Sequence, residues 1–145
     1  LDNDAFVGYE ADNYPFTAVF GAKKHHKFAK DVLDYYDNLD TNNVSFNHND
    51  NNTISISNLL IDKYNCKIGN LEQDLKYGIH VYPKEILCIP SFKSKTIHAF
   101  TSTWDDNLRS KFKYKIRIFL ITKTSNKFGV FVYSIFRRIS NMLNL

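Results

Sequence analysis

The sequence predicts an α/β fold that is followed by a basic, amphipathic C-terminal tail. Short apolar runs that end at glycine or proline alternate with stretches whose apolar residues recur at helical spacing. The 145 residues are enough for one domain with a buried core, and 12 Phe, 9 Tyr and 1 Trp argue against disorder. We divide the chain into a body, residues 1–107, and a tail, residues 108–145.

The body contains the predicted strands and helices. Strands are expected at Asp4–Glu10, Phe16–Gly21, Ile79–Tyr82 and Lys95–Phe100, and the third of these is stopped by Pro83. A helix is expected within Lys23–Asn38, with Phe28, Val32, Leu33, Tyr35 and Tyr36 on its apolar stripe. Thr53 is expected to cap a second helix that buries Ile56, Leu59, Leu60 and Tyr64, whereas Cys66–Lys76 is expected to be irregular.

Charge separates the tail from the body. All 15 acidic residues lie at or before Asp106, whereas residues 109–145 contain nine Lys or Arg and no acid. Alternation over Lys111–Leu120 favours a strand with a helix as the alternative, and Phe128–Leu143 has helical spacing, with Phe128, Phe131, Ile135, Ile139 and Met142 on one side. Such a tail is expected to bind an anionic surface, and a membrane is favoured over a nucleic acid. The alternative is that its apolar side chains pack on the body and its charges are solvated.

Four segments together resemble a known family. Thr96–Trp104 reads Thr-Ile-His-Ala-Phe-Thr-Ser-Thr-Trp and resembles the Ile-His-His-x-x-x-Ser-Trp signature of the DXD-containing, capsular-polysaccharide type of sugar-nucleotide glycosyltransferases, glycosyltransferase family 32. Ala99 replaces the second histidine of that signature, and Thr103 replaces the serine. Phe6–Glu10, Phe20–Phe28 and Tyr82–Glu85 resemble the family's Phe-Ile-Gly-x-Glu, Gly-His-Pro-Phe and Tyr-Pro-x-Glu segments in the same order.

The resemblance implies a fold and an activity. The expected fold is the C-terminal portion of a GT-A-like, Rossmann-related catalytic domain, and the implied reaction is sugar transfer with retention from a nucleotide sugar to a glycan or lipid-linked glycan. Surface or capsular polysaccharide of a bacterium would be the product. The family's DXD aspartates have no counterpart in the sequence, so we expect the 145-residue chain alone to be inactive.

The resemblance also implies site residues. His98 would be one ligand of Mn²⁺ or Mg²⁺, with the remaining ligands outside this chain. Glu10 is the candidate catalytic residue because of its position at the end of a predicted strand, where site residues of open α/β sheets lie; it would bind acceptor hydroxyls or act on the reacting sugar. Asn13, Tyr14 and Trp104 would contact donor or acceptor. The alternatives are that His98 is a core histidine, that Glu10 is a solvated carboxylate and that Trp104 anchors the end of the domain.

Other observations bear on location and on other functions. Two cysteines without a CxxC pair suggest a reduced, cytoplasmic protein, at or near the inner face of the cell membrane if the acceptor is lipid-linked. The sequence contains no zinc-binding pattern, GxGxxG or P-loop. The alternative to an enzyme is a non-catalytic interaction module whose basic tail contacts membrane or nucleic acid.

Overall fold

The computed structural model describes residues 3–16, 19–39, 52–98, 119 and 127–142. Helices and a mixed four-stranded sheet give this part of the chain an α/β architecture. The strands are β1 (Ala5–Gly8), β2 (Gly21–Ala22), β3 (Gln73–Leu75) and β4 (Ile79–Tyr82). The helices are α1 (Lys27–Asp37), α2 (Asn52–Tyr64), α3 (Lys84–Leu87) and α4 (Lys127–Met142).

The sheet order is β2-β1-β4-β3, with one parallel pair at its centre. β1 runs parallel to β4, and Ala5 lies opposite Ile79. β2 and β3 flank this pair in antiparallel orientation. Parallel strands need a long crossover, and here β2, α1, α2 and β3 all lie between β1 and β4 in the sequence.

One face of the sheet supplies the core. Because side chains alternate along a strand, Ala5, Val7 and Tyr9 share a face, and all three are buried. They belong to one apolar cluster with residues from β4, α1 and α2: Ile79, Val81, Phe28, Val32, Ile56, Leu60 and Tyr64. Phe6 and Tyr82 make an edge-to-face contact and by the same alternation lie on the opposite face.

The helix predictions are confirmed in extent and corrected in detail. His26 caps α1, since its Nδ1 accepts a hydrogen bond from the Phe28 N–H at 3.1 Å. The helix buries Phe28, Asp31 and Val32, whereas Leu33 and Tyr36, predicted to line the buried stripe, are exposed. In α2 the predicted inner residues are buried or half-buried, but Thr53 is its second residue rather than its cap.

The strand predictions succeed at the centre of the sheet and are wrong elsewhere. The prediction for Ile79–Tyr82 matches β4, and β1 lies within Asp4–Glu10. Strand structure near the predicted Phe16–Gly21 occurs only at Gly21–Ala22, within the described residues. Gln73–Leu75 forms β3 inside the segment predicted to be irregular, and Lys95–His98 is not a strand.

The tail prediction is confirmed for α4, which covers most of the predicted Phe128–Leu143 helix. The prediction for Lys111–Leu120 lies outside the described residues except at Phe119, which is helical. No helix in the described part of the chain combines the length and the apolar character needed to cross a membrane.

Candidate functional site

The two central strands end at the same edge of the sheet because they are parallel. Their pairing extends one residue past β1, since the Tyr9 N–H donates to the Tyr82 carbonyl at 3.0 Å. Glu10 therefore leaves the sheet beside the exit of β4. In open α/β sheets this carboxyl edge is where ligands bind. The edge is the natural place to look for a site.

At this edge the Glu10 carboxylate meets the His98 imidazole. His98 Nδ1 lies 3.5 Å from Glu10 Oε2, which is longer than a good hydrogen bond and fits an ion pair. The same carboxylate oxygen accepts a hydrogen bond from the Thr53 hydroxyl at 3.2 Å. Residues that are far apart in sequence thus converge on one oxygen atom.

The surroundings of His98 favour its charged form. Contact with the Cys88 side chain and with the negatively charged Glu10 carboxylate raises the pKa of His98 to about 9, although burial opposes this. The imidazole is therefore protonated at neutral pH. The site is an imidazolium–carboxylate pair in which both side chains keep roughly a quarter of their surface exposed, 29% for His98 and 23% for Glu10.

The segment that leads to His98, residues 95–98, was predicted to be a strand but is held instead by hydrogen bonds to the end of α3. The His98 N–H donates to the Cys88 carbonyl at 2.7 Å, and the Lys95 N–H donates to the Ile86 carbonyl at 2.7 Å. The Thr96 hydroxyl donates to the Leu87 carbonyl, also at 2.7 Å. The partners are carbonyls at the end of a helix, which have no donor within the helix, so the segment bonds to α3 and not to the sheet.

α3 is in turn fixed to the loop before β3. The Asn70 side chain accepts from the Lys84 N–H at 2.8 Å and donates to the Glu85 carboxylate at 3.0 Å. Asn70 has a φ of 56°, a left-handed conformation that asparagine tolerates better than most residues. This loop therefore anchors the short helix that carries the backbone partners of His98.

Asn13 and Tyr14, the other candidates near Glu10, lie on the turn that follows β1. The Glu10 N–H donates to the Tyr14 carbonyl at 2.9 Å, and both candidate side chains are exposed. Asp12 forms an ion pair with Lys84, and its carbonyl accepts from the Gly69 N–H at 2.7 Å. The turn is thus joined to the start of α3. Its exposed side chains, Asn13 and Tyr14, follow Glu10 closely in the sequence.

A cavity of about 330 Å³ lies on the face of the sheet opposite the main core. Its lining is almost entirely apolar and comes from β1, the exit of β4, α3 and the His98 segment: Phe6, Val19, Tyr82, Ile86, Leu87, Lys95 and Thr96. Lys95 and Thr96 precede His98 directly along the chain. The cavity therefore adjoins the segment that supplies the imidazole.

The Glu10 and His98 side chains offer ligand atoms of the type that a divalent cation accepts, but two ligands are too few to hold it. A carboxylate oxygen and an imidazole nitrogen are both ligands that Mn²⁺ accepts. Within the described residues, no group of three His, Cys, Asp or Glu is arranged to hold a metal ion. Coordination through His98 would also require loss of its proton, because only neutral imidazole binds a metal.

Sequence reasoning missed two neighbours of the pair. Thr53 was assigned to a cap, and Cys88, buried behind His98, was given no role. Neither residue stands at a spacing from Glu10 or His98 that would indicate contact, so no sequence signal could have identified them. The predicted contact residue Trp104 lies outside the described residues.

Comparison of the chain with protein-family models, with curated proteins and with solved structures finds no match. The assignment of a function to this site therefore depends on its own geometry and on the sequence segments that lead into it.

Proposed function

We propose that the Glu10–His98 pair belongs to the active site of a glycosyltransferase that transfers a sugar from a nucleotide-sugar donor. One observation carries the proposal: two of the segments that resemble the family end at the carboxyl edge of the sheet, and the described start of a third, Thr96–His98, lies beside that edge. Phe6–Glu10 contains β1 and its exit, Tyr82–Glu85 is the exit of β4, and Thr96–His98 supplies the imidazole. Chance similarity would not require segments this distant in sequence to converge.

A GT-A-like catalytic domain is the proposed setting for this edge. It is supported by the parallel β1–β4 pair and by functional candidates at the carboxyl ends of these strands. The chain would supply part of the acceptor side of the site and one metal ligand, His98, and the remaining ligands would lie outside this chain.

Glu10 and His98 would have different roles at the reacting centre. Glu10 would accept a hydrogen bond from an acceptor hydroxyl while holding His98 in position, and the Thr53 hydroxyl would fix the orientation of its carboxylate. His98, after losing its proton, would ligate Mn²⁺ or Mg²⁺. A bound cation would act as a Lewis acid that neutralises the diphosphate of the leaving nucleotide. Asn13, Tyr14 and Trp104 would contact donor or acceptor groups.

The apolar cavity beside the His98 segment bears on the acceptor. Its lining offers almost no polar group to a sugar, but it suits a hydrocarbon chain. This favours a lipid-linked glycan over a free glycan as acceptor, which would place the reaction at the inner face of the cell membrane, in surface or capsular polysaccharide synthesis.

The test is an assay of the gene product that contains this chain, with a panel of nucleotide sugars and Mn²⁺ or Mg²⁺. We expect sugar transfer or donor hydrolysis, and we expect His98→Ala to lower turnover by about 10²-fold, the effect of losing several kcal/mol of charge stabilisation. The 145-residue chain by itself should show neither reaction, because its sequence has no counterpart of the family's DXD aspartates.

His80→Ala is the matched control. His80 is also a partly exposed histidine paired with carboxylates, Asp74 at 2.6 Å and Glu72 at 3.2 Å, but its partners lie on the β3 side of the sheet, away from Glu10. Its replacement should leave turnover unchanged. Absence of turnover with every donor would overturn the enzyme proposal and favour a non-catalytic interaction module. Equal activity of His98→Ala across a Mn²⁺ titration would overturn the metal role.

A further inference from the structure

α4 exposes an apolar stripe that a folded domain would normally cover. Phe131, Ile135 and Ile139 follow one another at four-residue intervals and therefore share one side of the helix. Their exposed fractions are 54%, 42% and 45%. The alternative in which these side chains pack back on the body does not hold for these three residues.

The other side of α4 faces the protein. Tyr133, two residues before Ile135 and so on the opposite side of the helix, is only 8% exposed. An isolated helix in water would expose both sides equally. Other residues of the protein therefore cover Tyr133, whereas the stripe of large apolar side chains on the other side of α4 faces outward.

Charge indicates what would cover the stripe. Arg138 is exposed and lies three residues after Ile135, beside the stripe. The helix contains Lys127, Arg137 and Arg138 and no acid, and residues 109–145 as a whole carry nine basic residues and no acidic one. A partner must therefore offer both an apolar phase and negative charge.

We propose that α4 docks this protein on an anionic membrane surface, lying in the interface with Phe131, Ile135 and Ile139 inserted among the acyl chains. Helices that lie in this way combine an apolar side with a basic polar side, and their affinity depends on both. A nucleic acid would neutralise the basic charge, but its phosphate backbone would not bury the three large apolar side chains. The proposal does not depend on the glycosyltransferase assignment, because vesicle binding and sugar transfer are measured separately.

The test is co-sedimentation of the 145-residue chain with vesicles of phosphatidylcholine alone or mixed with phosphatidylserine, at low and high salt. Binding should require phosphatidylserine and weaken with salt. Ile135→Asp should lower the partition coefficient by about 10-fold or more, because an inserted isoleucine is lost. Arg138→Gln should lower it by about 5-fold at low salt.

Ser134→Asp is the matched control for charge. It adds the same negative charge one residue away, at an exposed position outside the stripe, so it should weaken binding less than Ile135→Asp does. Ile135, Arg138 and Ser134 are all exposed, so the three variants should keep the circular dichroism spectrum of the parent. Equal binding to both vesicle types, no binding to either, or equal effects of the two aspartates would overturn the proposal. So would tighter binding to an oligonucleotide that Ile135→Asp leaves unchanged.

Discussion

Asp31 is a buried carboxylate that joins α1 to α2, and its replacement should destabilise the protein through identifiable contacts. Its side chain is 5% exposed and lies 3.2 Å from Lys27 Nζ and 2.8 Å from Lys63 Nζ. The hydroxyl of Tyr64, a residue that is 1% exposed, donates to the same carboxylate. Because α2 also carries the Thr53 hydroxyl, this network helps to position the candidate site.

The magnitude follows from the exposure of each partner. Lys27 and Lys63 are nearly half exposed, so water replaces much of what they lose. Asp31→Asn keeps a hydrogen-bond acceptor for Tyr64 and should cost about 1–2 kcal/mol. Asp31→Ala also leaves the buried Tyr64 hydroxyl without its acceptor and should cost about 3 kcal/mol.

The pH dependence has a definite sign. Burial opposes ionisation of Asp31, but hydrogen bonds from Lys63, Tyr64 and Lys27 outweigh it and lower the pKa of this carboxyl from its ordinary 3.8. The charged carboxylate therefore contributes stability above pH 3.8, and the contribution is lost as the pH falls through the lower folded-state pKa. The difference between the parent and Asp31→Asn should shrink from pH 6 towards pH 3.

Urea unfolding followed by circular dichroism at several pH values measures these differences. Asp34→Asn is the control: Asp34 lies on the same helix and pairs with Lys30 at 2.7 Å, but this pair is solvated, so little change is expected. Equal stability of Asp31→Asn and the parent at pH 7, or a difference that does not vary with pH, would refute the reasoning.

Two further predictions concern packing. A Cβ at position 21 would overlap the Phe6 ring, so Gly21→Val should lower the free energy of unfolding by about 1–3 kcal/mol, measured by thermal denaturation, and an unchanged melting temperature would contradict this packing. Cys66 and Cys88 are both buried, and burial raises the pKa of Cys66 to about 11. Ellman's reagent should therefore label neither thiol in the native chain and both in urea, and rapid native labelling would contradict the buried placement.

The sequence was sufficient where one strong local pattern determines the element. β4 is bounded by Pro83, and α4 follows an uninterrupted helical period. It was insufficient where the partner determines the element. β3 has three residues, and only its ladder with β4 makes it a strand. The apolar run before His98 has β-strand character, but its hydrogen bonds go to the end of α3.

Burial of α1 was misjudged for a related reason. Hydrophobicity placed Leu33 on the buried stripe and gave no reason to include Asp31, yet Leu33 is 62% exposed and Asp31 is 6% exposed. A carboxylate can replace an aliphatic side chain in the interior only when several donors meet it. Those donors come largely from α2, which is more than twenty residues away, and no local pattern reports them.

In the candidate site too, some features could be predicted from the sequence and others depend on long-range contacts. Glu10 was identifiable because it follows an apolar run, whereas His98 became a candidate only through the resemblance of Thr96–Trp104 to a family signature. Their 3.5 Å contact depends on the parallel pairing of β1 with β4, a long-range property. The protonated state of His98 depends on Cys88 and Glu10 together. A ligand role for His98 therefore requires that metal binding displace a proton which this arrangement stabilises, and the Mn²⁺ titration of His98→Ala against the parent tests that role.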